Sequence, residues 1–171
     1  MPLSSGATVA VSASGELTSA LDLGTGRTPQ SLARKMVLGS GTGAGKADRM
    51  WSDRRTLAAS ATEDLDLAGV LLDAYGAAVT FARIKGIVIA ADDENTNNVI
   101  VGAAAGSPWA TLLGATHTLT LRPGAFVAVG TGLADATGYA VTAGTGDQLK
   151  VANSGSGTPV TYDIHIIGAS A

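Results

Sequence analysis

Apolar and polar residues alternate with a period of two along much of this chain, most cleanly near its end. Val160, Tyr162, Ile164 and Ile166 share one parity, and Thr161, Asp163 and His165 share the other. Successive strand side chains point to opposite faces, so this stretch predicts a strand with one buried and one wet face. Residues 148 to 153 alternate as well, and Ser154-Gly155-Ser156-Gly157-Thr158-Pro159 between the two segments is turn chemistry. The pair is predicted to form a closing hairpin.

Upstream, Val79 to Ala91 is the strongest predicted strand. Phe81, Arg83, Lys85 and Ile87 lie on one parity, Ala82, Ile84, Gly86 and Val88 on the other, and the Val88-Ile89 end reads as buried on both faces. Asp92 to Asn98 is a polar turn, after which Asn98 to Gly102 is predicted to pair back. Trp51, Leu57 and the Leu65-Asp66-Leu67 alternation predict two strands joined near Ser60, and Ala68 to Tyr75 reads as a helical turn or a long loop. Further strands are expected at Thr116 to Leu121, Phe126 to Val129 and Tyr139 to Val141. In the first third, Thr8 to Ala13 and Glu16 to Leu23 flank Ser14-Gly15, a predicted two-residue turn. Ser31 to Leu38 can form another strand, although Leu32 to Met36 would also tolerate a helical turn, and residues 39 to 45, mostly glycine, read as a flexible link. The fold class that follows is all-β: a β-sandwich or jelly-roll body over residues 49–171, preceded by an extended N-terminal arm over 1–48.

Composition supports this and adds a functional hint. At 171 residues the chain suits one domain plus an arm. Aromatics make up only 4% and charged residues 15%, so the core is aliphatic and the surface poorly protected against association. A homo-oligomer, with a trimer favoured, is therefore expected. Seven basic residues stand against four acidic ones up to residue 55 (+3), and four against ten after it (−6). That basic stretch is too dilute for nucleic acid, so a protein partner is expected and neither nucleic acid nor membrane. There is no cysteine. The first residues lack the basic-then-apolar pattern of a signal peptide, and synthesis in the cytoplasm is expected.

Candidate chemistry is sparse. Gly39 to Lys46 resembles a phosphate loop, but Ser40 and Ala47 occupy positions that need Gly and Ser or Thr, and no strand-loop-helix surrounds it. Asp93, Asn95 and Asn97 match the start of a calcium loop, yet Asn98 stands at its glycine and Ala104 at its bidentate glutamate. His117 and His165 belong to no metal spacing and no nucleophile elbow accompanies them. No catalytic residue, cofactor or metal is expected. Arg34 and Lys35 are expected at an interface, as are Met50, Trp51, Arg54 and Arg55, where Trp, Met and Arg cluster as they do in protein contacts. Trp109, beside Pro108 and ahead of Leu112-Leu113, is a further candidate contact.

Three longer stretches carry a resemblance. They are Thr56 to Gly69 leading into Val79 to Lys85, Asn95 to Gly102, and Leu121 to Phe126 followed by Thr137 to Val141 and Asp147 to Asn153. Together they resemble small virion structural proteins of tailed bacteriophages and prophages, over about residues 50 to 171. The resemblance implies a non-enzymatic particle component with a jelly-roll-like body. Its best role is a capsid decoration (cement) protein on the head surface, with the major capsid protein as partner. The alternative it leaves is a tail component, a fibre or baseplate subunit that contacts the host.

Overall fold

The computed structural model describes residues 3–171 and is almost wholly β. In chain order the elements are β1 (Ala7–Leu21), β2 (Gly24–Ser40), β3 (Lys46–Ala47), β4 (Arg49–Leu57), β5 (Thr62–Asp66), β6 (Leu71–Leu72), β7 (Ala78–Val79) and β8 (Arg83–Ala91). They continue with β9 (Val99–Gly102), the single-turn helix α1 (Ala110–Leu113), β10 (Thr118–Leu121), β11 (Phe126–Gly130), β12 (Tyr139–Ala140), β13 (Gln148–Asn153) and β14 (Val160–Ala169).

Two antiparallel sheets form the body. One has the order β10-β9-β13-β5; the other runs β11-β8-β14-β4, with β12 also paired to β8. Residues from both enclose one core: Leu65, Val101 and Val151 from the first sheet meet Ile87, Tyr162 and Ile166 from the second. The alternation of β14 holds as expected, with Val160, Tyr162, Ile164 and Ile166 each at most 2% exposed. Its partner does not. β13 pairs with β5 and β9, while β14 pairs with β4 and β8, so residues 154 to 159 cross between layers rather than close a hairpin. Likewise β9 joins β10 and β13 instead of folding back on β8. Turn chemistry marks where a chain reverses, but apolar faces on both segments let each find a different sheet.

The strand expected over Val79 to Ala91 divides into β7 and β8. Its mixed parity has a physical cause: Ile167 pairs with Gly86 and Gly168 with Ile84, so Lys85 is an extra residue in a β-bulge. The bulge lets both Ile84 and Ile87 enter the core although they differ in parity. It also buries Lys85, whose Nζ donates to the Asp135 carbonyl at 2.7 Å. Burial pushes this ammonium below the ordinary lysine value.

β1 and β2 form a long two-stranded ribbon. Pairing runs unbroken from Ala7↔Leu38 to Leu21↔Gly24, so the reversal falls at Asp22-Leu23 and β1 passes straight through Ser14-Gly15. A turn at Ser14-Gly15 would leave residues 31 to 38 without a partner; pairing Val9 with Met36 instead lets both seat on the body. Met36, Leu38, Ala47 and Ile167 make a second small core there, with Leu3, Ala7 and Val9 against it. The seat is cut for these side chains, since a Cβ on Gly86 would lie 2.8 Å from Val9 Cγ2. The glycine-rich residues 39 to 45 are not a slack link either. Gly39 N–H donates to the Gly45 carbonyl and Lys46 N–H to that of Gly43, closing a loop that sets β3 parallel to the end of β2.

Candidate interaction surfaces

Strand pairing decides which ribbon residues share a face, because directly opposed residues point the same way. Val11, Ala13, Gly15, Leu17, Ser19 and Leu21 lie opposite Arg34, Leu32, Gln30, Thr28, Gly26 and Gly24 on one face. This face continues the Val9 and Met36 contact with the body. It carries no acidic residue, and its aliphatic side chains are open to solvent: Leu17 is 64%, Leu21 63% and Leu32 59% exposed. The other face is polar, with Ser12, Ser14, Thr18, Ser31, Lys35 and an exposed Arg27–Glu16 ion pair at 3.2 Å. The ribbon is thus amphipathic, and among the described residues nothing covers its apolar side.

Where that face meets the body there is a crevice of about 460 Å³, lined by Val9, Val11, Arg34, Met36, Gly130 and Leu133 among others. A second apolar patch borders the second core, where Leu3, Met50 and Tyr75 line one groove and Val70 and Leu72 are also exposed.

The residues expected at an interface separate on this framework. Arg34, Lys35 and Met50 are exposed, and Arg34 and Lys35 have no acidic partner among the described residues. Trp51 and Trp109 are core residues, 3% and 4% exposed, with each indole N–H satisfied by a carbonyl, that of Leu72 and Ala140 respectively. Arg54 is exposed and pairs with Asp92 and Asp163. Arg55 is turned towards the body. Its Nε donates to Glu63 at 2.7 Å and its Nη1 to Asp53 at 2.8 Å, while the Tyr162 hydroxyl donates to the other oxygen of Glu63 at 2.7 Å. Because Glu63 lies on β5 and its partners on β4 and β14, this network ties the two sheets together. Burial, reinforced by the Glu63 carboxylate, pushes the Tyr162 phenol far above its ordinary value. The hydrogen bond that Arg55 donates to Glu63 likewise raises the guanidinium above its ordinary value.

The remaining motifs are occupied by structure. Asp92 takes the Glu94 N–H and the Arg54 ion pair, Asn95 exchanges two bonds with the Thr161 backbone, and Asn97 bonds to Asn153 and Thr158. Among the described residues no group of three His, Asp or Glu side chains could hold a metal ion. Neither histidine side chain hydrogen-bonds to another group among them. His165 is half-buried on the outer face of β14, and burial lowers its pKa. A folded-state value below the unfolded one means the unfolded chain binds the extra proton. Stability carried by neutral His165 is therefore lost as pH falls below about 6.5. Melting curves between pH 7.5 and 5 are expected to show this loss, and His165→Gln to flatten that part of the profile.

The chain matches no family model, no curated protein and no solved structure.

Proposed function

We propose that this chain is a non-enzymatic structural subunit of a bacteriophage particle, a capsid decoration protein whose partners are the major capsid protein and other copies of itself. In this reading the two sheets are a jelly-roll-like β-sandwich and the ribbon is its N-terminal arm. The observation that carries it is the uncovered apolar ribbon face. Some ten residues of each strand project beyond the body with both sides in solvent, an arrangement that gains nothing for the isolated fold. Such a face is stabilised only when another chain lies on it. The virion assignment itself is supported by the resemblance over about residues 50 to 171.

Copy number in purified particles tests it. Hundreds of copies per particle, lost with the head fraction, is the expected result. A few copies retained with tails would favour the fibre or baseplate reading, and absence from particles would overturn both.

A further inference from the structure

We infer that the apolar ribbon face is covered by the ribbon of a second copy of this chain, lying antiparallel about a two-fold axis with each tip in the crevice at the base of the other. The inference rests on the assembly reading above and specifies the partner of that same surface.

The first reason is shape. Strand residues on a face repeat every second position, so a two-fold centred between Gly15 and Leu17 lays β1 on β1 and β2 on β2 of the copy. Leu17 then opposes Gly15, Leu32 opposes Gly26, and Arg34 opposes Gly24. Each of these bulky residues meets a glycine, and Ala13 meets Ser19; Gln30 meets Thr28 as a polar pair that can hydrogen-bond, and Val11 meets Leu21 as an apolar one. A two-fold contact needs one patch to be self-complementary, and this face is.

Charge gives the second reason. Arg34 is the only charged residue on the face, and the same superposition sets it beside the tip of the other ribbon, where Asp22 stands in the turn. Among the described residues neither has an ion-pair partner within its own chain. A parallel two-fold, which lays β1 over β2, would instead face Arg34 with Val11 and keep it at the opposite end of the ribbon from Asp22.

The third is the tip itself. Leu23, beside Asp22, is fully exposed, and the crevice it would reach is lined by Val9, Val11, Met36 and Leu133. Edge-to-edge growth of the ribbon is disfavoured, since Pro29 leaves a missing donor on the outer edge of β2. The face is the available route. Two faces of roughly 35 by 10 Å bury about 700 Å² in total, and two seated tips add to it, which is the range of a reversible contact. Two-fold pairing thus replaces the trimer that composition alone favoured.

Sedimentation velocity on the full chain, from about 1 µM to about 1 mM, is the test. Reversible dimerisation is expected. Leu17→Asp and Leu32→Asp should each weaken it at least tenfold, whereas Thr18→Asp, on the polar face, should not. Arg34→Asp and Asp22→Arg should each weaken it, and the double variant should recover most of the loss, because only the antiparallel pair joins these two positions. Circular dichroism confirms that each variant is folded. A monomer throughout the range, Leu17→Asp and Leu32→Asp without effect, or no recovery in the charge-swapped double variant would overturn the inference. A monomer that still occurs in particles at high copy number leaves the structural role standing, and a dimer absent from particles defeats that role alone.

Discussion

Glu63→Ala is expected to lower stability by on the order of 2–4 kcal/mol, roughly 10 °C in melting temperature for a chain of this size. The reason is what it leaves behind. Tyr162 is 0% exposed, and among the described residues its hydroxyl donates to Glu63 alone, so the variant buries an oxygen that has lost its partner. Arg55 keeps only Asp53, and because its side chain is 35% exposed, water recovers part of that loss. Tyr162→Phe removes the hydroxyl as well as the bond and should cost less. Combining the two changes should be distinctly less damaging than their sum, since they break one network. Thermal unfolding of the three variants checks this. A Glu63→Ala shift under about 1 °C, or strict additivity, would mean that the network does not hold the sheets together.

Gly168→Ala is expected to be worse, with a loss of about 3–5 kcal/mol and poor accumulation of folded protein. Gly168 lies in β14 at the bulge. A Cβ there would strike the Arg83 carbonyl oxygen and come 2.7 Å from Phe81 Cδ1. Both obstacles are fixed, one by the sheet and the other by the core, so relief requires moving β8 or β14. Gly157→Ala is the control, because its Cβ would meet nothing within 4 Å. Equal stability of the two variants in denaturant titrations would contradict the close approach at the bulge.

The strands of this fold are legible in the sequence because burial imposes a period of two, and β14 shows it from Val160 to Ile166. Pairing is less legible. β13 and β14 each have one apolar face, and nothing local says that these faces belong to different layers. At Lys85 the bulge breaks parity, a device that an apolar pattern registers only as irregularity. The ribbon was visible in part. Its strands alternate as any strand does, but Ser14-Gly15 imitates a turn, and only the pairing of Val9 with Met36 over Gly86 fixes the true reversal at Asp22-Leu23. With the reversal misplaced, Val11, Leu17, Leu21 and Leu32 could not be recognised as one face. Trp51 misled for a different reason. Of its charged neighbours only Arg54 lies on the opposite face of β4; Asp53 and Arg55 share the parity of Trp51 and are held by the Glu63 network, while the indole N–H reaches the Leu72 carbonyl, so a charged neighbourhood in sequence does not mean an exposed ring.

The most direct measurement concerns a chain in which residues 11 to 34 are replaced by a two-residue Asn-Gly turn. This variant keeps Val9, Met36 and Leu38, and hence the second core. It is expected to melt within about 2 °C of the intact dilute chain, because the removed side chains were already in water. Offered to assembling particles in equal amount with the intact chain, it should be excluded from them. Equal incorporation of the trimmed and intact chains would contradict the central claim that the ribbon is the part through which this protein assembles.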